Sequence, residues 1–178
     1  MMKYFTFIPA VLLSLTSVNA LAVGYICKTI TGTIQQLSPD QRCNILQEKP
    51  NRFPDVTFYV ELGAQPAETC FSGELADALF GNTPVTGTSY HGLTVNGIGK
   101  LTAASAIRLT AAGHELGKVY TQDATFNPGT AKDHANTKEL LTMVSGSKRF
   151  KDGHGHVEIT GNALYGETQF SGMLCIKR

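Results

Sequence analysis

The sequence predicts an all-β fold, a small antiparallel barrel of about eight strands, with a β-sandwich as the alternative architecture. Three observations carry this. Apolar residues recur with period two in most runs, clusters of Gly, Pro, Asn and Asp interrupt those runs at short intervals, and sustained helical periodicity is nearly absent. The glycine count of 18 fits a chain that turns and bends often.

Taken in order, the chain opens with a segment that does not belong to the fold. Met1–Lys3 is basic, Tyr4–Val18 is mostly apolar, and Val18-Asn19-Ala20 places small residues at −3 and −1. This reads as a secretory leader over 1–20, cleaved after Ala20 with Ala22 as the alternative. The run is short for a membrane span, and no later segment rivals it. Gly24-Tyr25-Ile26 ahead of Cys27 lacks the pattern of a lipidation signal. Residues 21–178 then form one domain, long enough for a real core.

Within that domain the strands are read from alternation and β-branched or aromatic content. Ile30–Ile34 ("ITGTI") is the first, followed by Val56–Leu62 ("VTFYVEL"), Phe71–Leu75 and Val85–Val95. Leu101, Ala103, Ser105, Ile107 and Leu109 share one face of the next. Lys118–Phe126, Glu139–Val144, His156–Ala163 and Thr168–Ile176 complete the set. The turns fall at "SPDQ", "GNTP", "NGIG", "NPGT" and "KDGHG". Asp133–Val144 is the one candidate for a short helix, but Glu139–Val144 running into Ser145-Gly146 fits a strand entering a turn.

One phrase recurs. "FSGEL" at Phe71–Leu75 returns as "FSGML" at Phe170–Leu174, with looser copies at Ile30–Ile34 and Ile159–Ala163. Strand parity puts each glycine on the apolar, inward face. A glycine there costs stability unless the chain must bend or admit a close neighbour, which favours a coiled barrel over a flat sandwich. On the same parity Cys27, Cys70 and Cys175 lie on the opposite, hydroxyl-bearing face.

Four cysteines in an exported chain, without the C-x-x-C pairs of a zinc site, predict two disulfides. Cys27–Cys43 with Cys70–Cys175 is the favoured pairing, since one bridge closes a short loop and the other ties an early strand to the last. Cys27–Cys175, stapling the chain ends, is the alternative.

Losing Lys3 with the leader balances the basic residues against the 14 acidic ones. A neutral chain has no electrostatic reason to bind nucleic acid or an anionic membrane, and the Lys148-Arg149-Lys151 group reads as a solvated loop. No phosphate loop or nucleotide fingerprint is present, so no cofactor is expected. The absence of tryptophan removes the usual platform for sugar stacking.

"ELLTMVSGSKRFKDGHGHVEITG" (Glu139–Gly161), preceded by "GKVYTQDATFNPGT" (Gly117–Thr130), resembles the strand–turn–strand signature of the allene oxide cyclase and dirigent barrels. Ser145-Gly146-Ser147, Phe150, Gly153, Gly155 and Val157–Gly161 stand at the corresponding places. Ser147-Lys148 replaces the second glycine pair that those families often carry. The likeness covers the C-terminal third and implies an eight-stranded barrel. It places no catalytic carboxylate or arginine on this chain.

Candidate chemistry is sparse. His154 and His156, two apart on a strand, face one way and form the candidate metal pair, with Asp152, His134 and Asp133 as completing ligands. A solvated glycine-rich turn is the simpler reading. Asp123 shares a face with Val119, Thr121 and Thr125, so it can point into a lumen, where burial would raise its pKa. With Tyr120 and Tyr90 it makes the candidate ligand-contacting set. His91, His114 and several serines are present, but no Gly-x-Ser-x-Gly elbow organises them for nucleophilic catalysis. The expected function is therefore an exported barrel that binds a small apolar molecule or a protein partner without chemistry. The alternatives are a cyclase- or isomerase-like enzyme using interior polar groups, and a secreted host-directed factor acting through its surface.

Overall fold

The computed structural model describes residues 24–49, 51–53, 55–95, 101–126 and 136–178. The expected leader, His134 and Asp133 lie outside the described residues. Eight long antiparallel strands follow one another: β1 Tyr25–Ile34, β2 Cys70–Phe80, β3 Thr83–Val95, β4 Leu101–Ala111, β5 His114–Phe126, β6 Lys138–Gly146, β7 His154–Thr160 and β8 Thr168–Lys177. Consecutive strands from β2 to β8 pair with one another. β1 lies between β8 and β2, so the sheet closes into an eight-stranded barrel. Closure leaves these eight strands no free edge along the ladder.

The inward face follows the expected alternation. Ile30 and Ile34, Leu75 and Phe80, Val85, Ile107 and Leu109, Val119, Leu141 and Met143, Val157 and Ile159, and Phe170 and Leu174 form one apolar core. Phe150 plugs one end, its ring 5.5 Å from that of Phe80. The outward faces of β1, β7 and β8 carry exposed Thr29, Thr31, Glu158, Gln169, Ser171 and Lys177. That is the reverse of a lipid-facing barrel, whose outside is apolar. Among the described residues no helix is long and apolar enough to cross a membrane.

Gly172 shows why the repeated phrase needs glycine. A methyl group there would stand 2.2 Å from the His156 carbonyl oxygen and 2.7 Å from the Val157 Cα of β7. β8 and β7 therefore approach too closely for any side chain on that face. Gly73 is tight as well, but against the flexible Leu37 side chain at 2.8 Å and the Gln35 carbonyl oxygen at 2.9 Å.

Two expectations are corrected. Val56–Leu62 is not a full strand: Thr57–Phe58 makes a two-residue bridge to β3, and Tyr59–Leu62 winds into a 3₁₀ turn. The Glu61 carboxylate accepts a hydrogen bond from the Phe58 backbone N–H at 2.8 Å and pairs with Lys49, which pulls the chain out of extension. The disulfides are Cys27–Cys175 and Cys43–Cys70, not the favoured pairing. Cys27 and Cys175 are direct partners across the β1–β8 ladder, with Cα atoms 3.9 Å apart. Parity placed both on the outer side but could not show that β1 and β8 are neighbours.

Cys43–Cys70 ties down a strap, described over residues 40–49, 51–53 and 55–69, that crosses the outside of the barrel. Ile45, Phe53, Val56 and Phe58 pack on Ala104, Ala106 and Tyr120, forming a second apolar cluster on the outward face of β4 and β5. Asp40 starts the strap by accepting hydrogen bonds from the Arg42 and Asn44 backbone N–H groups. Glu48 anchors its middle through Lys118 and through the Tyr120 hydroxyl, which donates at 2.8 Å. The alanines of β4 are therefore a landing surface for the strap.

Candidate functional site

The interior is not apolar throughout. At the end opposite Phe150, inward positions of β3, β4, β5 and β6 carry His91, Ser105, Thr121, Asp123 and Glu139. Register explains the grouping. His91 stands opposite Ser105, Ser105 opposite Thr121, and Asp123 and Glu139 are diagonal neighbours across β5 and β6. Period-two alternation on adjacent strands thus gathers five polar side chains that are distant in sequence.

Their hydrogen bonds run in one direction. Asp123 accepts from Thr121 Oγ1 at 2.6 Å through Oδ1 and from Ser105 Oγ through Oδ2. Ser105 has a single proton, and Asp123 takes it. The 2.7 Å contact between Ser105 Oγ and His91 Nδ1 therefore has the imidazole N–H donating. This fixes the neutral tautomer and leaves His91 Nε2 as a bare acceptor. Nε2 is buried with no partner among the described residues, in a residue only 7 % exposed. Buried polar atoms ordinarily find partners, so an orphan of this kind needs an explanation.

Burial dominates the electrostatics. It pushes His91 down to about 4, so the imidazole is neutral at physiological pH. It pushes Asp123 up to about 6 against the pull of the Ser105 and Thr121 hydrogen bonds. Glu139 is raised further, to about 8, by burial and then by the Asp123 charge, with Thr125 opposing. The two carboxyl groups resist being ionised together, so the pair holds a proton at neutral pH.

His91 and Glu139 from this group line a cavity of about 280 Å³ at the mouth of the barrel, walled by Leu37, Phe71, Leu93, Ala163 and Leu164. That lies at the small end of ligand cavities, which run from about 300 Å³ upward. No lysine or arginine is among the described residues lining it. A larger, more open groove of about 470 Å³ runs past Asp55, Val56, Thr94, Thr102, Gln122 and Thr142, and Asp123 borders this groove.

Of the residues singled out from sequence, Asp123 points inward beside Val119, Thr121 and Thr125. Tyr120 and Tyr90 do not join it. Both face outward, Tyr120 under the strap with its hydroxyl on Glu48, Tyr90 at the edge of the same cluster. That environment pushes the Tyr120 phenol up to about 12. Adjacent residues on a strand point to opposite faces, so Asp123 and Tyr120 could never have shared a wall. His154 and His156 lie together on the outer face of β7, opposite Cys175 and Met173, and His154 meets Tyr25 edge to face. Asp152 pairs with Lys177, and among the described residues no three His, Cys, Asp or Glu side chains group for metal.

Sequence reasoning passed over His91, Ser105 and Glu139. The signal was present in parity: His91 sits in phase with Val85, and Ser105 with Ile107. What was missing is strand adjacency, which alone turns three inward polar residues into one network. Comparison with family models, with curated proteins and with solved structures returned no match.

Proposed function

We propose that this protein is an exported barrel that binds a small, largely apolar molecule in its open end and anchors it on His91. The observation that carries this is the orphaned Nε2 of His91, buried in a side chain that lines an apolar-walled cavity and held in its acceptor tautomer by Ser105 and Asp123. A ligand hydrogen-bond donor would satisfy the atom that the fold leaves bare. Export is supported by the leader-like start and by the two disulfides. The kinship with allene oxide cyclase and dirigent barrels is part of the proposal and rests on the C-terminal phrase.

Native mass spectrometry of protein purified from its own host tests the binding. The expected result is a non-covalent adduct in the wild type that is lost in His91→Leu, with the variant still melting cooperatively. A bare mass in both would refute the reading.

A second reading, an isomerase-like activity, is favoured by His91 and Glu139 lining one cavity, with Asp123 linked to His91 through Ser105. A neutral imidazole and a protonated carboxyl are a possible base and acid. Deuterium incorporation from D2O into a bound carbonyl compound would support it, and its absence would leave binding alone.

A further inference from the structure

Resting on that binding reading, we propose that the cavity selects an organic cation, a small primary or secondary amine with an apolar body. The argument concerns what the cavity offers and what it withholds. His91 Nε2 is an acceptor by the hydrogen-bond direction derived above, and Glu139 becomes an acceptor on ionising. An ammonium group brings several donors and a positive charge to these two positions, which a hydroxyl cannot.

The charge balance points the same way. Asp123 and Glu139 interact with each other, and neither forms an ion pair with a described lysine or arginine. The one basic neighbour on the strand, Lys138, is exposed on the outer side and donates to Thr160. His91 is neutral and adds no charge. Among the described residues, Asp123 and Thr125 from β5 act on Glu139, and His91 from β3, Thr137 and Asn162 line the same cavity. Among the described residues the Asp123–Glu139 pair has no counter-ion, and it holds a proton. An entering ammonium supplies the counter-ion, and the Glu139 proton leaves to solvent as the carboxylate pairs with it. The walls suit the rest of such a molecule. Leu37, Leu93 and Leu164 are apolar, and Phe71 presents an aromatic ring of the kind that attracts a cation face-on.

Titration calorimetry with three probes of matched shape tests this: phenethylamine, 2-phenylethanol and phenylacetate at pH 7. The amine is expected to bind at least about tenfold more tightly than the alcohol, with phenylacetate weakest. Repeating the amine titration in buffers of different ionisation enthalpy should show release of close to one proton. Glu139→Gln should abolish that release and bring amine and alcohol together, while circular dichroism shows it folded. If 2-phenylethanol binds as tightly as the amine, the cation proposal falls and the binding reading stands. If none of the three gives heat and native mass spectrometry shows no retained molecule, both fall.

Discussion

The glycine of the second FSG phrase is the sharpest place to perturb this fold. A methyl at Gly172 would sit 2.2 Å from the His156 carbonyl oxygen, 2.7 Å from the Val157 Cα and 3.0 Å from the His156 carbonyl carbon. Ordinary carbon–oxygen contacts between strands start near about 3.3 Å. β7 and β8 must therefore part by about 1 Å in a closed barrel, where no strand edge is free to yield. Overpacking costs about 1–3 kcal/mol where side chains can adjust. Backbone meets backbone here, so Gly172→Ala should sit at the top of that range, near 3 kcal/mol. For a domain of this size that lowers Tm by about 6–12 °C. Gly73→Ala is the control in the same motif. Its new methyl meets Leu37 Cδ2, the far end of a rotatable side chain, and the Gln35 carbonyl oxygen at 2.9 Å. About 1 kcal/mol, or about 2–4 °C, is expected. Thermal unfolding followed by circular dichroism with both disulfides intact reads the two. Equal shifts, or a Gly172→Ala melt within about 2 °C of wild type, would show that the close approach of β7 and β8 is not what glycine serves.

Other outcomes follow from the same geometry. Removing Cys43–Cys70, which spans 27 residues, should cost about 3.5 kcal/mol on the chain-entropy account, against about 5 for Cys27–Cys175, which spans 148. Urea unfolding of the two double-alanine variants orders them, and the reverse order would contradict that account. Ser105→Ala strands the His91 Nδ1–H and removes one donor from Asp123, for a loss of about 1–3 kcal/mol in the same assay. Glu139 has an ordinary value of 4.5 and a folded value of about 8, so the native state holds a proton that the unfolded chain gives up. Its contribution is fully present below 4.5 and is lost as pH rises through about 8, with a slope of at most about 1.4 kcal/mol per pH unit. Glu139→Gln should flatten the decline in urea midpoint between these values, and an unchanged decline would assign it elsewhere. His91 acts with the opposite sign, since its depressed pKa removes stability as pH falls from 6.5 toward 4.

Alternation made the barrel legible before any coordinates. Leu101 to Leu109 shows a strand with Ser105 on its apolar side, and Val119, Thr121, Asp123 and Thr125 form a second such row. The same periodicity misled at Val56–Leu62, where β-branched and aromatic content promised a strand. There a single carboxylate, Glu61, returns to the Phe58 N–H and bends the chain. Propensity sums over a window, whereas one well-placed acceptor acts locally and wins. Tyr120 and Tyr90 lie on the face opposite Asp123 for a simpler reason: aromatic content says nothing of which face of a strand is used, and parity with Asp123 and His91 already separates them.

The amino-acid sequence by itself determined the all-β class, the inward residues of most strands and the need for two disulfides, because each depends on period two or on composition. The tertiary structure decided which strands are neighbours. Ladder adjacency sets β1 beside β8, and so joins Cys27 to Cys175. It also sets β3, β4 and β5 side by side, and so links His91 through Ser105 to Asp123. Pairing between strands is a long-range choice made by closing the barrel, and no local pattern along the chain encodes it. The candidate site exists only after that closure, at an end of the interior where polar residues from four strands meet.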